Sequence, residues 1–349
     1  MKEFTISSNE AGQRFDKYLG KLLSEASMSF IFKMLRKKNF TLKGKKAAGN
    51  ELLKQGDVVK LFLSDETFDK FAAKNNKKQK ANSWKVYSEE DLKKLGLLVV
   101  YEDSHILAFH KPAEMLSQKA KDSDISVNEY LIGYLLQKQE LTAEELHTFK
   151  PSIANRLDRN TSGLILCGKS LAGLQYLAKV IKDRSLEKYY HCLVEGFLDE
   201  TKDIEGYLIK DSKTNQVRIL DKEPEKNEYA SYIKTGINPI GQYILKNAKG
   251  KKEYTELNIH LYTGKTHQIR AHLASIKHPI VGDFKYGTAD HSSLAKNCGI
   301  KRQLLHEYRV VFPKTEGDFS YLSGKEIVAE PTDDYKRALK ELKNGNMEQ

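Results

Sequence analysis

An aspartate in a polar, turn-rich segment is the residue of this sequence whose type and setting best suit chemistry. Asp158 lies between Arg156 and Arg159 and precedes the polar residues 160–163. The apolar residues 164–166 follow directly and predict a short buried strand. The carboxylate is therefore expected on a loop held against a sheet, which is a common way to build a reactive site. An aspartate that serves as a turn former is the alternative interpretation of this stretch alone.

The same stretch also matches a phosphate-binding pattern. Gly163 is followed, after four residues, by Gly168, Lys169 and Ser170. A phosphate cradle needs a flexible loop whose amides converge on the anion. The four intervening residues are Leu, Ile, Leu and Cys, which favour a strand. We therefore reject a nucleotide-hydrolase function, which an assay for bound ATP or GTP would detect.

Three ordered motifs carry a resemblance to a known family. Residues 155–163 read NRLDRNTSG, residues 188–196 read KYYHCLVEG, and residues 263–287 read TGKTHQIRAHLASIKHPIVGDFKYG. In order and spacing they resemble motifs of the RluA family of RNA pseudouridine synthases. The first resembles R-L-D-x-x-T-S-G, the second K-x-Y-x-A-x-V-x-G, and the third T-G-R-x-H-Q-I-R-x-H-L followed by H-P-I-x-G-D-x-x-Y-G. The similarity runs from near Tyr101 to near Pro331, about two thirds of the chain.

The resemblance implies an RNA pseudouridine synthase, which breaks the N-glycosidic bond of a uridine in RNA, turns the base and rejoins it through carbon. Asp158 would be the essential carboxylate, acting on the ribose as nucleophile or as base. Arg270 would be its charged partner. Tyr190 would pack against the target base, with its hydroxyl able to help move the proton from carbon. No cofactor and no metal are expected, since the reaction exchanges neither electrons nor water.

Further residues are assigned to RNA contacts by the same resemblance. Arg156 is expected to fill the gap, or to hold the backbone, beside the flipped uridine. Other substrate contacts are expected from Lys265, His267 and Gln268. Lys265 stands where the family usually has arginine, so it keeps the charge but loses the bidentate fork.

Histidine and cysteine spacing argues against a metal site. Thr266 is expected to cap a helix that runs through Ser275, in which His267 and Arg270 share one side. His272 is five residues from His267, whereas helical ligand pairs need a spacing of three or four. Cys167, Cys192 and Cys298 are too few and too far apart for a zinc cluster or a disulfide framework.

The charge balance favours a polyanionic partner. The 349 residues include 58 Lys and Arg against 47 Asp and Glu, giving a net charge of +11. RNA is the leading candidate, and the resemblance points to large-subunit ribosomal RNA or its precursor. The sequence has no apolar signal core and no apolar run of about 18 residues. We therefore expect a cytoplasmic protein that does not bind membranes. The expected oligomeric state is a monomer.

Residues 1–65 are expected to form a small module with two short helices, the second capped by Ser29, followed by strands. From residue 26 to residue 50 there is no acidic residue, while seven basic residues gather there: Lys33, Arg36, Lys37, Lys38, Lys43, Lys45 and Lys46. Such a cluster is either a solvated face or an RNA-binding patch. The module resembles the alpha-L RNA-binding module, which favours RNA contacts at Arg36, Lys37 and Lys38.

The remaining chain divides by composition. We expect a Lys-rich linker at 66–84, a catalytic domain at 85–331, and a solvated, fraying polar tail at 332–349. Short segments of β-forming residues between residues 205 and 261 predict antiparallel strands. The expected fold is α+β, a pseudouridine synthase fold with a mixed, largely antiparallel central sheet. A non-catalytic RNA-binding or ribosome assembly protein is the alternative function.

Overall fold

The computed structural model describes residues 1–72, 84–211, 216–224, 230–247, 250–287 and 293–347. The chain forms two compact units that both draw on separate parts of the sequence. The first contains Met1–Ala108, Gln118–Asn155 and Leu166–Ala178, and the second contains Phe109–Ser117, Arg156–Ile165 and Lys179–Gln349.

The first unit begins with the N-terminal module. Its strands β1 (Lys2–Thr5), β2 (Phe40–Leu42), β3 (Lys45–Lys46) and β4 (Val58–Leu61) form an antiparallel sheet in the order β1-β4-β2-β3. Helices α1 (Phe15–Leu22) and α2 (Met28–Arg36) bury Phe15, Leu19 and Ile31 in the core of this module. The N-cap of α2 is Ser27, whose Oγ accepts from the Phe30 amide over 3.2 Å, so the expected cap at Ser29 is wrong.

The module extends beyond its expected boundary at residue 65. Residues 65–72 are helical, and Phe68 and Phe71 pack against the module's core. The apolar contacts of these two rings explain why a segment with a linker-like composition is ordered here. Residues 73–83 of the expected linker lie outside the described residues. The module also contacts the rest of its unit, because the Thr148 hydroxyl donates to the buried carboxylate of Glu10.

The helices and strands that follow the module are, in chain order, α3 (Glu89–Lys94), β5 (Leu98–Glu102), β6 (Ile106–Lys111), α4 (Val127–Gln137), a 3-10 turn (Glu145–His147), β7 (Ser152–Ile153) and β8 (Ser162–Gly168). Helix α4 begins with a capping box, in which Ser126 and Glu129 satisfy each other's backbone amides. Strand β8 is buried at every position. Gly163, Gly168 and the residues between them therefore form a core strand, as the rejection of a phosphate cradle required.

Helix α5 (Leu171–Lys182) comes next, and Ser170 caps it by accepting from the Gly173 amide over 3.1 Å. Lys169 is 5% exposed and pairs with Glu102 and Glu140 of the first unit. This lysine is thus a buried cation that forms ion pairs within the first unit.

The second unit is built on a large sheet. Its strands are β9 (Glu187–Glu195), β10 (Lys202–Lys210), β11 (Val217–Leu220), β12 (Ala230–Asn247), β13 (Gly250–Leu261), β14 (Leu305–Val311) and β15 (Glu326–Val328). They follow the order β11-β10-β12-β13-β9-β14-β8, and β15 pairs with β14. The β14–β8 pair is parallel and the other pairs are antiparallel. The prediction of an α+β fold with a mixed, largely antiparallel sheet is confirmed.

The described residues of the second unit also include the α-helices α6 (Gln268–Ser275), α7 (Ser293–Asn297) and α8 (Asp333–Met347). Tyr335, Ala338 and Leu342 of α8 are fully buried in a core with residues such as Leu193. The interpretation of residues 332–349 as a solvated tail is therefore wrong, because these three apolar side chains share one helix face and pack into the core. In the part of the chain that the structure describes, no helix has the length and apolar character to cross a membrane.

Candidate active site

The loop that carries Asp158 is held by side chains of the second unit along its whole length. The Ser117 hydroxyl donates to the Leu157 carbonyl and accepts from the Leu157 amide. The contacts on the other loop residues are Lys111 Nζ to the Arg159 carbonyl, Arg302 Nη1 to the Asn160 carbonyl, Gln303 Nε2 to Thr161 Oγ1, and Ser162 Oγ with His306 Nδ1. A catalytic group gains from such fixed geometry, because misplacement by even 1 Å slows reactions strongly.

Lys111 is a fully buried cation beneath this loop. Its ammonium group donates to the carbonyls of Pro112, Met115 and Arg159 over 2.8, 3.0 and 3.1 Å. Burial and, to a smaller extent, the neighbouring charge of Arg302 lower the pKa of Lys111 to about 7, while the charge of Asp158 opposes the shift. The side chain thus ties two segments together at the base of the Asp158 loop.

Gly163 lets strand β8 approach β14 next to this loop. Its φ of +121° lies in a region that side chains avoid, and an added Cβ would lie 2.3 Å from the Glu307 carbonyl oxygen. The two residues are register partners in the parallel β14–β8 pair. Glycine is therefore required at position 163 for β8 and β14 to pair at the point where the Asp158 loop ends and β8 begins.

Arg270 joins two carboxylates. Its Nη1 donates to Asp158 Oδ2 over 2.9 Å, while its Nε and Nη2 donate to the two oxygens of Asp283 over 2.7 and 2.9 Å. The Asp283 side chain is fully buried, and burial raises its pKa, but the bonds and charge of Arg270 outweigh this and hold the pKa below its ordinary value of 3.8. Asp283 fixes the plane of the guanidinium, which then presents one corner to Asp158.

His267 is a second neighbour of Asp158. Its Nε2 lies 3.6 Å from Asp158 Oδ2, and its Nδ1 is 2.9 Å from the Tyr286 hydroxyl. The expectation that Thr266 caps the helix is wrong. Helix α6 begins at Gln268, and His267 precedes it in a left-handed conformation with φ of 53°. Burial lowers the pKa of His267, although the charge of Asp158 acts in the other direction.

Tyr190 lies in β9 with its ring buried. Its hydroxyl donates to Glu307 Oε2 over 2.8 Å, and Glu307 is its register partner on β14. Burial raises the pKa of Tyr190 well above its ordinary value, and the charges of Glu307 and Asp158 raise it further. The hydroxyl therefore stays protonated at neutral pH.

The residues expected to bind RNA fall into two groups. Arg156 and Lys265 are exposed, as are Arg36, Lys37 and Lys38 of the N-terminal module. Gln268 is different, since it is 2% exposed and its amide is bound to the Thr263 hydroxyl, the Lys265 amide, the Lys234 carbonyl and the Thr235 hydroxyl. The prediction of Gln268 as an RNA contact is wrong, because these bonds make it an internal clamp at the start of α6.

Sequence reasoning missed Lys111, Asp283 and Glu307. Each is a charged residue in an apolar setting, after ILAFH, after HPIVG and within LLHEYRVV respectively. A charged side chain inside a predicted strand or at its end is a usable signal, because buried charges are retained where they are paired. Among the described residues, no three His, Cys, Asp or Glu side chains gather as a metal ion would require.

Comparison with known proteins gives the class of this fold and site. The RNA pseudouridylate synthase family matches residues 105–275. An uncharacterised RNA pseudouridine synthase of Mycoplasma genitalium is 31% identical over 316 residues, which cover 90% of each chain. A ribosomal large subunit pseudouridine synthase C of Vibrio vulnificus is 28% identical and covers 89% of each chain. The human RNA pseudouridylate synthase domain containing 4 has the same fold, with a TM-score of 0.51, 14% identity, and coverage of 78% of this chain and 97% of that one.

The chain belongs to the RNA pseudouridine synthase family and is of the RluA type. It is thus an enzyme that isomerises uridine to pseudouridine in RNA. The family and the activity are those that the three sequence motifs predicted.

Proposed function

We propose that this enzyme forms pseudouridine in large-subunit ribosomal RNA or its precursor, with Asp158 as the catalytic carboxylate. The observation that carries the site assignment is the 2.9 Å hydrogen bond from Arg270 Nη1 to Asp158 Oδ2. Support for the substrate comes from the name of the Vibrio vulnificus relative, which specifies the ribosomal large subunit. The basic face of the N-terminal module adds to it, because RNA affinity depends on neutralised phosphates.

The two oxygens of Asp158 have different tasks in this proposal. Oδ2 is bound to Arg270 and lies near His267, whereas Oδ1 has no hydrogen-bond partner within the described ranges. The carboxylate side chain is 31% exposed, so a ribose can reach it. Oδ1 then acts on the ribose, as nucleophile or as the base that removes a sugar proton. The positive charge of Arg270 stabilises the carboxylate of Asp158 as the base and sugar displace water.

Other residues complete the mechanism. Tyr190 packs against the flipped uracil, and its hydroxyl handles the proton that leaves carbon. The base must leave its stack to reach Asp158. The exposed side chain of Arg156 then occupies the space that the flipped base leaves in the RNA stack. Lys265 and His267 contact the neighbouring RNA backbone. A single chain suffices, since Asp158, Arg270 and Tyr190 all belong to the second unit, so we propose that the enzyme acts as a monomer.

The test is pseudouridine formation on defined RNA. Purified protein is incubated with large-subunit ribosomal RNA, small-subunit ribosomal RNA and transfer RNA made by transcription, and pseudouridines are mapped in each. We expect product in the large-subunit RNA. Product confined to transfer RNA would contradict the substrate, and absence of product from all three would favour a non-catalytic RNA-binding protein.

The module is tested separately through its salt dependence. Replacing Arg36, Lys37 and Lys38 by glutamine should make the plot of log K against log salt shallower by about 2 to 3, at roughly 0.7 to 0.9 per phosphate contact. The matched control replaces Lys93 and Lys94, which are exposed on α3. An unchanged slope in the triple variant would show that this face does not bind RNA.

A further inference from the structure

A buried carboxylate lies directly behind the tyrosine of the proposed site. Glu307 is 0% exposed, and its Oε2 accepts from the Tyr190 hydroxyl over 2.8 Å. Burying a carboxylate in a sheet is costly unless the group is hydrogen-bonded. A phenylalanine at position 190 with an apolar residue at position 307 would fill the same space without that cost. The pair is therefore better explained by chemistry than by packing.

The position of Glu307 is fixed by its strand. Glu307 and Tyr190 are register partners across β14 and β9, and the backbone of Glu307 is pressed against Gly163, where an added Cβ would lie 2.3 Å away. Strand β14 cannot shift without breaking its contact with β8 beside the Asp158 loop, and β9 cannot shift without breaking its register with β14. The carboxylate is thus held at a constant distance from the tyrosine hydroxyl, as a proton-transfer partner has to be.

The reaction creates a need for such a partner. After the bond from C1′ to N1 has broken and the bond from C1′ to C5 has formed, C5 still carries its hydrogen. That hydrogen has to leave as a proton, and its bonding electrons restore the ring, while N1 gains a proton. A tyrosine with a raised pKa does not ionise by itself at neutral pH. Its hydroxyl can accept the C5 proton only if it gives up its own proton at the same time.

We propose that Glu307 is a positioning residue that accepts the hydroxyl proton of Tyr190 while Tyr190 takes the proton from C5. The C5–H bond breaks, a new O–H bond forms on Tyr190, and the original hydroxyl proton passes to Glu307 Oε2. The proton then returns through the same hydroxyl to N1 or to solvent, so the isomerisation gains and loses none. This inference rests on the proposed function, because it needs a uracil against Tyr190.

The experiment uses RNA whose uridines carry deuterium at C5. Large-subunit ribosomal RNA is transcribed with either ordinary or 5-deuterated uridine triphosphate, and single-turnover rates are measured with enzyme in excess. Glu307→Gln keeps the shape of the side chain and an oxygen for the hydrogen bond, but is a far weaker proton acceptor. We expect its rate to fall by about 100-fold, as for loss of a general base, with KM within about threefold. We also expect its isotope effect to exceed that of the parent, because loss of the C5 proton becomes rate-limiting.

A matched control lies one residue away. The Tyr189 hydroxyl donates to Glu187 Oε2 over 2.8 Å, and this pair is on the exposed part of the same strand. Glu187→Gln makes the same chemical change and should keep the rate and isotope effect of the parent. If Glu187→Gln raised the isotope effect as much as Glu307→Gln, the specific proton relay from C5 through Tyr190 to Glu307 would be refuted.

Three other results would overturn either the proton relay or the proposed function. A parent-like rate and isotope effect in Glu307→Gln would overturn the relay. Should that variant fail to fold, Tyr190→Phe takes its place, and an isotope effect no larger than that of the parent would overturn the relay equally. A parent enzyme that forms no pseudouridine in ribosomal RNA would instead overturn the proposed function, and the relay with it.

Discussion

Replacing Asp283 by asparagine removes one negative charge beside Arg270 and keeps the shape of the side chain. Asp283 Oδ1 accepts hydrogen bonds from the backbone amides of Lys285 and Tyr286, and the asparagine oxygen can still accept both. The asparagine NH₂ group would then face Arg270 Nε, which donates to Oδ2 over 2.7 Å in the parent. Two donors would thus meet in a fully buried position, and Arg270 would keep Asp158 as its sole carboxylate among the described residues.

The size of the effect follows from burial. Removing one partner of a buried ion pair costs about 3 to 5 kcal/mol, and the remaining contact with Asp158 places the expected loss near the lower end. A loss of about 3 kcal/mol corresponds to a fall in Tm of about 6 to 12 °C for a unit of this size. Turnover should fall as well, because the guanidinium loses the group that fixes its plane.

The stability that Asp283 contributes should also depend on pH. Since the pKa of Asp283 lies below its ordinary value in the folded protein, its contribution to stability is fully present above the unfolded pKa of about 3.9. This contribution is lost as the pH falls through the folded pKa. The stability difference between the parent and Asp283→Asn should therefore be constant at neutral pH and shrink in acid.

The assay is denaturant or thermal unfolding of both proteins, followed by turnover on ribosomal RNA. The control is Glu326→Gln, which breaks a bond to Arg309 at an exposed site and should change stability by less than about 0.5 kcal/mol. An Asp283→Asn protein with parent stability and parent turnover would refute the orienting role of Asp283.

Three further predictions concern buried side chains whose contacts lie within a single unit. Lys111→Met should cost about 3 kcal/mol and lower turnover, because three buried carbonyls lose their donor; unfolding curves and single-turnover rates check this. Lys169→Met should cost about 2 to 3 kcal/mol, because Glu102 and Glu140 lose their ion pairs with the buried ammonium group, while activity per folded molecule stays at the parent level. Leu342→Ala should cost about 3 kcal/mol if α8 is part of the core, measured by unfolding; a loss below about 0.5 kcal/mol would restore the interpretation as a solvated tail.

The sequence predicted those parts of the site that rest on local signals. The apolar run after Asp158 predicted a buried strand, because strand burial is encoded by consecutive residues. The pairing of Arg270 with Asp158 came from the family motifs and agrees with the 2.9 Å contact. The mixed sheet was likewise expected, since β-forming segments separated by turns are visible without tertiary information.

The rest depended on contacts between distant segments. Glu307 lies 117 residues from Tyr190, and its role appears only when β14 pairs with β9. Helix α8 has few apolar residues, so its composition suggested solvent, although three of them share one buried face. His267 has a left-handed backbone that no spacing rule predicts, and this shifted the start of α6 past the expected cap at Thr266.

Asp158→Asn, measured for binding and for turnover on the same samples, tests the central claim most directly. The substitution keeps the shape of the side chain and removes the charge and the reactive oxygen. RNA affinity should stay within a few fold, because it comes from many phosphate contacts, whereas pseudouridine formation should fall below detection. Pseudouridine formation by Asp158→Asn at the rate of the parent would contradict the assignment of Asp158 as the catalytic carboxylate.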